Sequence, residues 1–322
     1  MKLLRIGSFN LLLALTMVLS LASACSSDPG SEPATGDDST AISIDHIFGT
    51  TTLDAVPTRI VSLDAPWTDT LLALGVQPVG YAVDAASPDG MAWQELSADS
   101  ESFDTTEGLP YEQIAALDAD LIVGSYSVID EEVHRRLSEI APTVARLDDS
   151  QVTAWEDLVT AGGALLDKTD EATILIDGLN ARIDAIGEEL PGLEGRTFAL
   201  AQYLPGAGLV AVADEKDGSS VFFQRLGMTM LPALAEEGTK TGEARVSFSP
   251  ERIELLRADL LAFLINGGDE SALDDIPGFD KLPGTVAILD YDTIVALNTP
   301  SVLSVPHAAE KLKPYLAEAA EG

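Results

Sequence analysis

The sequence predicts an α/β fold in two lobes with mostly parallel sheets, and three observations carry that expectation. Short apolar runs alternate with helical patterns in both halves of the chain. A long stretch of helical apolar spacing separates the halves. The phrase EQIAALDADL (112–121) returns as ERIELLRADL (251–260), both reading Glu-x-Ile-x-x-Leu-x-Ala-Asp-Leu. A chain of 322 residues is long enough for two lobes of ordinary domain size, each with its own core.

The elements follow in order. RIVSL (59–63) reads as a strand, TDTLLALG (68–75) as a helix stopped by Gly75, and PVGYAV (78–83) as a second strand. YEQIAAL (111–117) is a helix whose first turn is set by Pro110. DLIVG (120–124) is a strand, EEVHRRLSEI (131–140) a helix and TVARL (143–147) a strand. Strand and helix alternating at this spacing mark an α/β lobe. In the second half RTFALAQY (196–203), LVAVA (209–213), DLLAFLI (259–265) and VAILD (286–290) read as strands. SSVFFQRLG (219–227) and HAAEKLKPYLAEAA (307–320) read as helices, and Ser249-Pro250 as the N-cap and first turn of ERIELL.

Between the halves, Trp155, Leu158, Val159, Gly162, Leu165 and Leu166 recur at helical spacing, as do Ala172, Leu175, Ile176, Leu179, Ile183 and Ile186. Thr169 and Asp170 are placed to cap a new start. From Asp170 to Glu188 the helix would be about 28 Å long. Such a rod either crosses from one lobe to the other or packs on the surface of one lobe. The repeated phrase likewise has two readings: duplicated lobes, or ordinary α/β grammar. A first-turn Glu complements the helix dipole, and Asp is a good turn residue before a strand.

Aspartate and glutamate total 53 against 18 lysines and arginines, a formal charge of −35. Phosphate binding needs a basic face, so nucleic acid is excluded as a partner. Such a charge keeps a protein hydrated and monomeric. The single cysteine, Cys25, rules out an intrachain disulfide. It follows a basic start (Lys2, Arg5), an apolar run FNLLLALTMVLSLA and the small residues Ala22-Ser23-Ala24. The strongly apolar part is shorter than the ~20 residues that cross a bilayer, so this is a secretory signal. LASAC resembles the lipobox of bacterial lipoproteins, with Leu21 four residues before the cysteine where three is commoner. That resemblance implies cleavage before Cys25 and lipidation there; more than one acyl chain anchors stably. Residues 26–41, SSDPGSEPATGDDSTA, cannot bury enough apolar surface to order themselves and read as a tether. The expected organisation is a signal peptide at 1–24, lipidated Cys and tether at 25–41, an α/β lobe at 42–152, a helical connector at 153–190 and a second α/β lobe at 191–322.

Beyond the signal, the sequence resembles the lipid-anchored substrate-binding proteins of ABC importers for ferric siderophores, haem and cobalamin, the class III periplasmic binding proteins. The matching phrases are PTRIVSLDAPWTDTLLALGVQPVGYA (57–82), PYEQIAALDADLIVG (110–124), LSEIAPTV (137–144), VSFSPERIELLRADLL (246–261) and PSVLSVPHAAEKLKP (300–314). The resemblance implies two Rossmann-like lobes with mainly parallel central sheets, one long connecting α-helix and a ligand cleft between the lobes. It implies that Glu112 and Glu251, one per lobe, dock into arginine pockets of a symmetric permease pair. It implies a ferric siderophore as ligand, with haem or cobalamin as the alternative within the same transporter type. A cell-surface scaffold or adhesion lipoprotein is the alternative from another class.

Ligands in open α/β sheets meet the carboxyl ends of strands. The candidates are Trp67 after RIVSL, Tyr126 after DLIVG, Tyr203 ending RTFALAQY, Asn266 after DLLAFLI, Arg245 before the second Glu-helix and Trp93 in the loop 84–109. Aromatics supply apolar area with a polar tip, and arginine a fork of donors for anionic oxygens. Tyr126 or Tyr203 would be the axial phenolate if haem were the ligand. An arginine that some relatives carry before the first Glu-helix is absent from TTEGLPYE. The histidines His46, His134 and His307 are far apart and in no i, i+3 or i, i+4 pair, so no bare metal ion and no resident cofactor is expected. A caged ferric ion asks the protein only to recognise its organic shell. The negative charge disfavours polyanionic chelates. No Gly-x-Ser-x-Gly elbow or Gly-x-x-x-x-Gly-Lys loop is present, and Gly206-Ala-Gly208 leads into a strand-like LVAVA where a dinucleotide fingerprint needs a helix, so no enzyme is expected.

Overall fold

In both lobes, one aspartate ties the start of a central strand to its neighbour. Asp120, the Asp of the first repeated phrase, accepts the backbone N–H groups of Thr58 (2.8 Å) and Arg59 (2.9 Å). Asp259, its counterpart in the second phrase, accepts the N–H and the hydroxyl of Thr197, both at 2.7 Å. These clamps set matching registers, Ile60 beside Leu121 in one sheet and Phe198 beside Leu260 in the other. The echo in the sequence is therefore a shared device for aligning parallel strands.

The computed structural model describes residues 41–83, 86–267 and 269–322. Cys25, the signal and residues 26–40 of the tether lie outside the described residues. Strands β1 (Ile42–His46) and β2 (Gly49–Leu53) form an antiparallel hairpin. The first lobe's sheet consists of β3 (Ile60–Ser62), β4 (Gly80–Val83), β5 (Glu101–Asp104), β6 (Leu121–Val123) and β7 (Thr143–Val144). Its order is β5-β4-β3-β6-β7, all parallel. Helices α1 (Ala65–Ala73), α2 (Tyr111–Ala116) and α3 (Glu131–Ser138) connect its strands. Two caps start where sequence chemistry puts them: Asp64 accepts from Trp67 N–H and Asp130 from Val133 N–H.

The connector is a helix pair, α4 (Trp155–Leu165) and α5 (Thr169–Glu189). The 21-residue α5 covers the expected rod, but its N-cap position is Lys168 and no side chain caps it, in place of the Thr169–Asp170 cap. The chain reverses between the two helices at Asp167, with φ +54°.

The second sheet holds β8 (Thr197–Leu204), β9 (Gly208–Val212), β10 (Thr229–Met230), β11 (Arg245–Phe248), β12 (Leu260–Ile265) and β13 (Thr285–Ile288). Its main order is β11-β9-β8-β12-β13, with β10 on β8; β9 runs antiparallel to β8 and β11, and the other pairs are parallel. Helices α6 (Val221–Arg225), α7 (Pro232–Thr241), α8 (Tyr291–Asn298) and α9 (Ser304–Glu321) complete it. The second Glu-helix is a 3-10 segment, Pro250–Leu256, kinked at Arg252 and capped by Ser249.

One apolar cluster runs through both lobes. It joins Ile60, Trp67 and Leu121 of the first to Phe198, Leu260 and Leu312 of the second, through Leu158, Leu165, Leu179 and Ile183 of the connector. Each sheet's other face has its own cluster: Val61, Phe103, Ile114 and Leu137 in the first, Leu209, Leu234, Val246 and Phe263 in the second.

The helix pair depends on a glycine at its tightest point. A Cβ on Gly163 would stand 2.5 Å from Ala172 Cβ and 3.1 Å from the Lys168 carbonyl oxygen. Gly163→Ala is expected to lower the unfolding free energy by about 1–3 kcal/mol through overpacking. Urea denaturation at constant m-value checks this, and an unchanged midpoint would refute it.

Candidate functional site

Each sheet has a cavity at the carboxyl ends of its strands, where ligands of open α/β sheets bind. In the first sheet the cavity lies between β3 and β6. It is lined by Leu63, Asp64 and Ala65 after β3, by Tyr126 and Ser127 beyond β6, and by Ala82, Val83, Ser87, Gln94 and Thr105. The cavity measures about 140 Å³. In the second sheet, Asn266 and Gly267 follow β12, and Leu289, Asp290, Tyr291 and Asp292 follow β13, lining a cavity of about 610 Å³. Ala86 borders the second cavity while its neighbour Ser87 borders the first. A loop of the first lobe thus borders both cavities of the cleft between the lobes, and the second is within the size range of small-molecule sites.

Two carboxylates here are fully buried: Asp64 lines the first cavity, and Asp69 lies behind it, bonded to the lining residue Gln94. Asp64 Oδ2 accepts the Ser125 N–H at 2.6 Å and the Ser125 hydroxyl at 3.0 Å, while Oδ1 takes the Trp67 N–H at 3.4 Å. Ser127 donates to the Leu63 carbonyl at 2.6 Å, fixing the turn that carries Tyr126. Asp69 accepts Trp93 Nε1 at 2.8 Å, Gln94 Nε2 at 2.6 Å and the Ser301 hydroxyl, the last from the far half of the chain. Gln94 in turn accepts the Met91 N–H at 2.9 Å. Burial pushes both carboxyls up to about 6, against the pull of these donors.

The residues singled out from the sequence divide. Tyr126, 42% exposed, and Asn266 line the cleft; Asn266 also donates to Gln202 at 3.1 Å. Trp93 supports the wall from behind, bonded to Asp69 and packed on the His307 ring at 5.1 Å. Trp67 is fully buried in the shared apolar cluster, because its side of α1 faces the core while Ala65 of the same turn borders the cavity. Tyr203 is buried too, its position along β8 placing it in the second lobe's own cluster. Arg245 does not line the cleft: it pairs with buried Asp217 at 3.4 Å and donates to the Asn298 carbonyl at 2.7 Å. Glu112 and Glu251 are both exposed in first turns. Among the described residues no cluster of three or more His, Cys, Asp or Glu side chains forms a metal site, and no helix is long and apolar enough to cross a membrane. Asp64, Asp69 and the stretch 288–292 escaped the sequence reading. Asp64 had a signal, since an Asp-Ala-Pro directly after a strand marks both a helix cap and a strand's carboxyl end.

The sequence from 60 to 276 matches the family described as Periplasmic binding protein. The chain belongs to that family. It is 28% identical over 270 residues to the Bacillus subtilis (strain 168) protein named "Probable siderophore-binding lipoprotein YfiY", covering 81% of this chain and 80% of that one. It is 28% identical over 268 residues to "Fe(3+)-citrate-binding protein YfmC" of the same organism, covering 80% and 81%. The crystal structure of Streptococcus pneumoniae TIGR4 PiaA in complex with ferrichrome superposes with a TM-score of 0.73 at 27% identity, covering 87% of this chain and 99% of that one. The fold expected from the sequence, two α/β lobes with a long helix between, is the fold of this family member.

The buried acids make stability depend on pH. An Asp titrates near 3.8 in the unfolded chain and near 6 at these two sites. The folded state therefore binds more protons between about pH 4 and 6, and the stability falls as pH rises through that window. Glu156 and Asp157, also raised by desolvation, act in the same direction. Asp259, lowered chiefly by the Thr197 N–H, acts below that window. The melting temperature is expected to be higher near pH 5 than near pH 7.5, and the difference to shrink in Asp69→Asn; calorimetry at the two pH values decides it.

Proposed function

We propose that this periplasmic binding protein family member captures a ferric siderophore in the inter-lobe cleft and delivers it to an ABC permease at the outer face of the cell membrane. One observation carries the reading: the strand ends of both lobes open onto cavities bordered by one loop, in a chain that aligns over four-fifths of its length with proteins named for siderophore and Fe(3+)-citrate binding. PiaA, of like fold and 27% identity, was solved with ferrichrome. The work is binding, with no covalent chemistry. A caged Fe³⁺ is coordinatively satisfied, so the cleft need only offer aromatic area and hydrogen-bonding groups to the chelate's organic shell. Tyr126, Asn266, Gln94 and Ser127 are of that kind.

The lipid anchor at Cys25 rests on the lipobox-like LASAC and on the word lipoprotein in a relative's name. Docking rests on Glu112 and Glu251, each exposed on the first turn of the equivalent segment in its lobe. An exposed carboxylate on each lobe suits a two-fold symmetric partner carrying an arginine per half.

The test has two parts. Titrating the intrinsic fluorescence with ferric chelates, haem, cobalamin and free metal ions should give saturable quenching with a ferric chelate. A Soret shift with haem in its place would overturn the ligand class. The double variant Glu112→Lys with Glu251→Lys should abolish uptake in cells while the dissociation constant stays within about twofold; survival of uptake would reduce the pair to helix-start residues.

A further inference from the structure

We infer that the cleft selects its ferric chelate by charge, taking neutral or cationic complexes and rejecting anionic ones such as carboxylate-rich or tris-catecholate chelates. The inference rests on the siderophore reading above and adds the ligand's chemical class to it. The site is the cleft itself, and its lining supplies the sign.

Five carboxylates line the two cavities: Asp64 in the first, and Asp269, Glu270, Asp290 and Asp292 in the second. No lysine or arginine lines either one among the described residues. Asp269 and Asp290 cap helical segments through the N–H groups of Ser271 and Thr293, so they are fixed in place. The Ser271 hydroxyl helps hold the Asp269 carboxyl below its usual range, which keeps it charged. Lys311, outside the lining, pairs with Asp290 at 3.8 Å. Glu270 and Asp292 have no such role, and nothing in the lining opposes their charge.

The arginine that sequence reasoning offered for anionic oxygens is spent elsewhere. Arg245 gives its guanidinium to Asp217, 0% exposed as a side chain, and to both the side-chain and main-chain oxygens of Asn298. Freeing it would leave the buried Asp217 carboxylate without its counter-charge, which is costly. An anion entering the cleft would thus meet carboxylates within a Debye length, with Lys311 beside Asp290 their one described ion-pair partner and no cation in the described lining. A neutral chelate meets Tyr126, Asn266, Gln94 and Tyr291 without that penalty.

A charge series on one chelate isolates the effect. A linear ferric trihydroxamate is prepared with its terminal amine free, acetylated or succinylated, giving net charges of about +1, 0 and −1 on one coordination core. Fluorescence titration is done with the full mature chain at low and high ionic strength. The cationic form should bind at least about tenfold more tightly than the anionic one at low salt, and the ratio should shrink as salt screens the cleft. In Glu270→Gln with Asp292→Asn, which keeps both caps, the ratio should fall about threefold. Equal affinities across the series, or an anionic preference, would overturn the charge inference and leave the siderophore reading standing. Saturable binding by none of the three, with haem or cobalamin binding in their place, would overturn both.

Discussion

The architecture turns on one buried carboxylate. Asp69 leaves water completely, a cost that only well-placed donors offset. Its three donors come from two distant parts of the chain: the indole of Trp93 and the amide of Gln94 on the loop beyond β4, and the hydroxyl of Ser301 at the entry to α9. Ser301 also accepts from Ser304 N–H at 2.9 Å, so the same residue that reaches Asp69 starts the last helix. One acid thereby fixes a wall of the cleft and the seat of the C-terminal helix. Satisfied networks of this kind specify a unique arrangement, because any slippage leaves a charge buried without partners.

The shared apolar cluster extends that constraint. The lobes are not two beads on a string: Trp67 and Leu121 of one and Phe198 and Leu260 of the other belong to one packed body with α4, α5 and α9. Rotating one lobe against the other would expose part of that body, at about 25 cal/mol for each Å² of apolar surface. A helical connector resists bending as well. Large hinge closure is therefore disfavoured, and recognition falls to a cleft that is formed before the ligand arrives.

Much of this was legible in the sequence. Long apolar runs such as DLLAFLI and RTFALAQY mark strands buried on both faces, and the spacing in 170–188 marks the rod. The repeated phrase left duplicated lobes and ordinary α/β grammar both open, and its aspartates do the same job in each lobe. The hairpin β1–β2 and the strand β5 were not legible, since GTTTL and ESFD carry little apolar signal and owe their strand form to a partner. The site was half legible for a related reason. Position after a strand points to Tyr126 and Asn266, which line the two cavities, but orientation is set by tertiary packing. Tyr203 is still inside β8, where the pleat turns it into the core, and Trp67 lies on the inward side of α1. Arg245 belongs to β11, whose register puts it opposite Val212 and away from the strand ends that open on the cleft.

The cations show how a strongly acidic chain uses what little positive charge it has. Arg59 donates to the carbonyls of Leu117 and Asp118, tying the end of α2 to the strand it precedes. Arg196 pairs with Asp259, Arg225 with Asp184, and Arg252 with Glu237. Arg245 neutralises a carboxylate that would otherwise be stranded in the second lobe. Each of these guanidiniums serves the fold, where its planar fork meets carbonyl or carboxylate oxygens. With these arginines so engaged, the cavities at the strand ends are lined by carboxylate, phenol, amide and hydroxyl groups over apolar walls, with no arginine or lysine among the described lining residues. Such a surface offers shape, stacking and hydrogen bonds, and its negative sign follows from where the chain's positive charge has gone.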